Sequence, residues 1–202
     1  MKKENILLIL TVIFFMLLPS CNDLENETTS GSVLIINSIT GNDLDGTDGS
    51  TTIFIDVVQV NDDGTMTIYN DNGVAELSAV LLDPFIEDSE ATYYQNIIVD
   101  QIDIEYTRAD GLNVEGEDTI YSFSQKVSYM IPLGSVVELP FVLVQHVSKL
   151  ESPLVELVGL GQEKVLKLEA KITIHGKDVG GHRVAPAVGS VSVWISNFGD
   201  AQ

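Results

Sequence analysis

From Ser32 onward, hydrophobic and polar residues alternate along the chain with a period of two. The clearest stretch is Val165 to His175. There Leu166, Leu168, Ala170, Ile172 and Ile174 fall on one side, and Lys167, Glu169, Lys171 and Thr173 on the other. Successive side chains of a strand point to opposite faces, so a strand with one dry and one wet face needs this order. Ile102, Ile104 and Tyr106 alternate in the same way with Asp103, Glu105 and Thr107. Leu77, Ala79 and Leu81 alternate with Glu76, Ser78 and Val80, and Val191, Val193 and Ile195 with Ser192, Trp194 and Ser196. Turn-forming clusters separate these runs: Asn61-Asp62-Asp63-Gly64, Asp71-Asn72-Gly73, Asp110-Gly111, Leu133-Gly134 and Gly176 to Gly181. The pattern predicts strands near 32–39, 52–59, 65–69, 73–82, 95–108, 119–131, 135–146, 163–175 and 183–196. One stretch, Ser148 to Val158, has a weak helical pattern, but Pro153 interrupts it and allows at most a short helical turn.

Many short strands joined by turns, with almost no helix, predict an all-β, antiparallel sandwich. The chain beyond residue 31, about 170 residues, is long for a sandwich of about 100. The expected organisation is one domain over 32–202, with a main sandwich at 70–197 and residues 32–69 adding edge strands. No linker rich in Pro, Gly or Ser divides it.

The N-terminal pattern is different. Lys2 and Lys3 precede an apolar run from Ile6 to Leu18, broken only by Thr11. Thirteen residues rise about 20 Å as a helix, short of the ~30 Å hydrocarbon core of a bilayer. A basic start, a short apolar centre and small residues after it are the layout of a secretory signal. Leu18-Pro19-Ser20-Cys21 resembles the bacterial lipobox, although Pro19 departs from the usual small residue. The resemblance implies a lipoprotein signal peptide over 1–20 and acylation, palmitate included, of Cys21, the single cysteine of the chain. Several acyl chains anchor stably where one would not. Residues 21–31 are polar and acidic and read as a tether. Asn22 is not the Asp that favours inner-membrane retention in enterobacterial lipoproteins, so the resemblance points to the outer membrane where the host has two membranes.

Two later stretches carry a second resemblance. One is Val99 to Gly111 followed by Asn113-Val114-Glu115-Gly116, and the other is His146 to Leu154. With Ile172 to Asp178 and a last segment from Gly189 to Asp200 ending in Asn197-Phe198-Gly199-Asp200, they are similar in order to a group of uncharacterised bacterial lipoproteins with an immunoglobulin-like sandwich. The resemblance covers Thr67 to Asp200. It implies an antiparallel immunoglobulin-like β-sandwich with extra N-terminal strands and a lipid-anchored life, and no catalytic residue.

Charge narrows the function classes. The formal net charge is −20. No Lys or Arg lies between Lys3 and Arg108, while eighteen Asp and Glu lie between Asp23 and Glu105. Phosphate backbones repel such a surface, so nucleic acid is not an expected partner. A solvated acidic surface is the plain reading. A calcium loop is the functional alternative, best placed at Asp43, Asp45 and Asp48, although Asp48 and Phe54 stand where an EF-hand needs Gly and Glu. His175 and His182 bracket a Gly-rich turn but lack further ligands apart from Asp178. No Gly-x-Ser-x-Gly elbow or P-loop occurs. Asp103 and Glu105 share a strand face at a spacing glycosidases use, but in so acidic a chain such pairs arise by chance. Tyr93, Tyr94 and Trp194 are the aromatics that could stack on a sugar or dock a partner.

The expectation is therefore a non-enzymatic, lipid-anchored envelope protein, acting as a binding or structural module. Its partners are membrane lipid through acylated Cys21 and an unknown protein or glycan. No cofactor, metal or catalytic residue is assigned. The alternative is a calcium-dependent carbohydrate-binding or adhesive module.

Overall fold

A computed structural model describes residues 29–41, 52–61, 63–83, 92–160 and 163–198. The strands among them are β1 (Ser32–Gly41), β2 (Thr52–Asp56), β3 (Gln59–Val60), β4 (Met66–Thr67) and β5 (Asp71–Leu81). They continue with β6 (Ile97–Thr107), β7 (Phe123–Ile131), β8 (Val136–Val144), β9 (Leu166–Asp178) and β10 (Arg183–Ser196). Three form one sheet, in the order β1-β5-β8, and five form another, in the order β2-β10-β9-β6-β7. β3 and β4 make a small separate ribbon. The two large sheets pack on each other, so the all-β sandwich expected from the period-two pattern is the fold. Among the described residues no helix is long and apolar enough to cross a membrane.

The core is built by the alternation. On β9, Leu168, Ala170, Ile172 and Ile174 are buried, while Lys167 and Lys171 are exposed. Ile102, Ile104 and Tyr106 on β6, and Val191, Val193 and Ile195 on β10, meet Ala75, Leu77 and Ala79 of β5 and Leu139, Phe141 and Leu143 of β8. Each fully buried aliphatic contributes about 1.5–3 kcal/mol, so this interface supplies most of the drive to fold. The Tyr106 hydroxyl donates to the Leu143 carbonyl across the two sheets. Gln125 of β7 reaches over to the free edge of β8, donating to the Val142 carbonyl (3.0 Å) and accepting from its N–H (3.2 Å). That edge would otherwise offer unpaired groups to another strand.

Three details depart from the sequence reading. β2 runs parallel to β10, with Thr52 to Asp56 beside Ser192 to Ser196, whereas every other strand pair is antiparallel. Asp71-Asn72-Gly73 is the start of β5 and not a turn. Its glycine serves packing: a Cβ on Gly73 would lie 2.7 Å from the Phe141 ring. β9 continues through Gly176, Lys177 and Asp178, and the turn is the shorter segment closed by Asp178 N–H on the His182 carbonyl (2.9 Å). Ser148 to Val158 contains only two short 3₁₀ turns, His146–Leu150 and Val155–Leu157. This agrees with the interruption expected at Pro153.

Candidate functional site

The outer face of the five-stranded sheet carries five of the eight Lys and Arg among the described residues. Eight Lys and Arg follow Lys3 in the sequence. Lys167 and Lys171 project outward from β9. Lys126 stands opposite Gln101 on the neighbouring strand, which itself stands opposite His175. Lys177 and Arg183 pair across the β9–β10 hairpin. Two acids on this face hold basic partners: Lys171 Nζ meets Glu105 at 2.9 Å, and His175 Nε2 meets Asp103 at 2.8 Å.

The ladder is irregular around His175 on every neighbouring strand. On β6, Val99 pairs with Gly176 and Gln101 with His175, so Asp100 is an extra residue. On β10, Val184 pairs with Gly176 and Ala187 with Ile174, which leaves Ala185 and Pro186 opposite His175. On β7, Val127 and Ser128 fall opposite Asp100. A bulge leaves a residue out of the ladder and bends the strand, and bulges gather where a sheet re-aims side chains. Three bulges in one row dent the sheet. The dent is a groove of about 640 Å³, lined among others by Asp100, Gln101, Lys126, Lys177, Arg183 and Pro186. Gly176 lies under it, where a Cβ would meet the Ile98 carbonyl oxygen at 2.8 Å, so the strands approach too closely there for a side chain.

Within the groove one relay is continuous. Lys126 Nζ donates to Gln101 Oε1, Gln101 Nε2 donates to Asp103 Oδ1 (2.6 Å), and Asp103 Oδ2 bonds His175. Burial pushes the Asp103 carboxyl up, but hydrogen bonds from Ser124, Gln101 and His175 outweigh it and hold it below its ordinary value. Asp103 is thus kept ionised. That is the opposite direction from the one a general acid needs.

At the next turn His182 Nδ1 lies 3.1 Å from Asp178, whose carboxyl burial pushes up and whose bonds from His182 and Ser30 bring below its usual range. His175 and His182, which bracket the Gly-rich turn, each hold a different aspartate. Among the described residues no group of three His, Cys, Asp or Glu is arranged as a metal site would need. Asp103 and Glu105 do share the outer face, each with its own basic partner.

Trp194 is half-buried on this face. Phe54 packs edge-on against it (5.5 Å), Phe198 packs edge-on against Phe54 (5.8 Å), and Lys167 Nζ sits 3.8 Å over the Trp194 ring. Tyr93 and Tyr94 are exposed on a 3₁₀ turn, 62% and 66% accessible, with ring centroids 6.3 Å apart. That turn is fastened to the β9–β10 hairpin by Gly180 N–H on the Tyr94 carbonyl (3.3 Å) and Val179 N–H on the Asn96 carbonyl (3.0 Å). A second cleft, about 370 Å³, opens at the other end of β6 beside the Arg108–Asp110 ion pair and Lys164.

Cys21 and the acidic residues Asp43, Asp45 and Asp48 lie outside the described residues. The bulged row was not foreseen. Its signal in the sequence was faint: Gly176 and Pro186, two residues a regular interior strand disfavours, fall within strands whose alternation is otherwise sound. No protein-family model matches the chain, and no curated protein matches it.

Proposed function

We propose that the chain is a lipid-anchored protein of the cell envelope that serves as a non-catalytic binding module, presenting the outer face of its five-stranded sheet. The observation that carries this reading is the groove at His175. Three strands deviate from regular pairing at one row, and that row collects cations in a chain of net charge −20. Bulges gather where a sheet re-aims side chains, which fits a face built to present groups. Asp103, beside the groove, is held below its ordinary value by its hydrogen bonds and so stays an acceptor, which suits recognition and not proton transfer. The anchor rests on Cys21 and the lipobox-like residues before it.

Two measurements test the reading. Cys21→Ser should move the protein from the membrane pellet to the soluble envelope fraction, and a variant that still pellets after a carbonate wash would remove the anchor from it. Thermal melts with EDTA and with millimolar calcium address the alternative, a calcium-dependent carbohydrate-binding or adhesive module. A bound ion raises the midpoint by mass action, while surface charge responds to any salt alike. On the reading proposed, calcium and magnesium act equally.

A further inference from the structure

We infer that the groove around His175 takes a small hydroxylated oxyanion, a sugar acid or sugar phosphate in size and polarity; this rests on the binding-module reading above. Three of the eight Lys and Arg beyond Lys3, namely Lys126, Lys177 and Arg183, line it. An excess of negative charge over the molecule repels anions in general, so an anion that binds at all is directed to the place where cations converge. Acids are present too. Asp103, next to the groove, is already bonded by His175 and by Gln101. Asp100, in the groove wall, remains as a hydrogen-bond acceptor for hydroxyls. Gln101 fixes Lys126 by accepting from its ammonium, so this cation is positioned before any ligand arrives. The bulges also release backbone groups of β6 and β10 from the ladder, and these can meet hydroxyls. The volume, about 640 Å³, falls within the range of small-molecule sites, ~300–1,000 Å³. It is too confined for a long polyanion to be recognised along its length.

The test uses the full-length chain in neutral detergent at low salt, with calorimetric titration of glucuronate, glucose 6-phosphate, inorganic phosphate and glucose. One or both sugar acids should bind saturably, at least about tenfold tighter than glucose. Charge-assisted hydrogen bonds of about 1.5–3 kcal/mol give at least that factor each. Preference for glucuronate would assign a carboxylate ligand, and preference for glucose 6-phosphate a phosphate. The double variant Lys177→Gln with Arg183→Gln should weaken binding about tenfold or more, and Lys171→Gln, on the same face beyond the groove, should not. Lys126→Gln provides an independent check should the double variant fail to fold. Inorganic phosphate binding as tightly as both sugar acids would overturn the hydroxylated part of the inference. Acids binding no better than glucose, or binding indifferent to the groove variants, would overturn it altogether. Glucose bound tightly and lost on groove substitution would overturn the anion while leaving the binding module. A Cys21→Ser protein that remains in membranes would remove the anchor while leaving the groove.

Discussion

Asp71 and Asp103 look alike by ordinary measures. Each has a basic nitrogen 2.8 Å away, and their side chains are 25% and 26% exposed. Yet their carboxyls move in opposite directions. Asp71 is pushed up to about 6, because burial outweighs the attraction of Lys149 and the nearby Asp56 adds repulsion. Asp103 is held below its ordinary value. The difference lies in donors and in where the exposure falls. The Asp71 oxygen that meets Lys149 is sealed from solvent, and Lys149 itself is 3% exposed, with its ammonium shared with the Asp56 carbonyl (2.6 Å). Asp103 receives three side-chain donors on an open sheet face. The fraction of a residue in water says little about its charge. The number of hydrogen bonds at the charged atom, and the wetness of that atom, decide it.

The largest expected effect breaks the buried member of this comparison. Lys149→Ala leaves Asp71 buried without its cation and should cost about 3–5 kcal/mol in urea unfolding near neutral pH. The loss should shrink as the pH falls toward about 6 and level off below it, where Asp71 is protonated with or without Lys149. A loss under about 1 kcal/mol would mean that water reaches the pair freely.

Next comes a contrast between the two faces of one strand. Ile172→Ala should cost about 2–5 kcal/mol through lost transfer energy and its cavity, since Ile172 is fully buried between the sheets. Lys171→Ala, one residue earlier and outward, should cost less than about 1 kcal/mol, because its bond to Glu105 joins two half-exposed groups. Equal losses at the two positions would mean that the register is wrong.

A third prediction concerns the sign of the pH dependence. The folded-state pKa of Asp71 is raised, so from about pH 4 to about pH 6 the folded chain keeps a proton that the unfolded chain releases. Stability relative to Asp71→Asn should therefore fall by up to about 3 kcal/mol across that window and stay flat above it. Asp103→Asn should show the opposite trend and a smaller one: the wild type gains over its variant as pH rises through the carboxylate range. Parallel curves for the two variants would erase the distinction between the sites.

Much of the sandwich could be read from the chain. The period of two fixed the faces of β5, β6, β9 and β10, because burial on one side of a strand is a local and repeated demand. What escaped was non-local. Nothing around Thr52 to Asp56 says that its partner is β10, or that the two run parallel. Lys149 lies in the weakly helical stretch before Pro153, and nothing beside it in the chain says that the fold closes over it. Asp71-Asn72-Gly73 has the letters of a turn, but its glycine answers to the Phe141 ring on another strand. The groove was hidden for the same reason. A bulge is a mismatch between two strands, and three mismatches in one row exist only once four strands are assembled.

The parallel pairing of β2 with β10 also sets an order of events. β2 finds its edge only when the last strand of the fold is available, about 140 residues later in the chain. Closing a span of that length costs little more than closing one half as long, so the arrangement is cheap at equilibrium. In time it is not neutral. As the chain becomes free to fold from its N-terminal side onward, Ile53 and Ile55, both destined for the core, stay without their β10 partner until about 140 more residues have emerged. β1, whose partner β5 begins only about thirty residues beyond its end, waits far less. The emerging chain therefore carries an Ile-Phe-Ile run that stays open to holding factors until β10 arrives, and Thr52 to Asp56 is the segment where such a factor would be expected to crosslink.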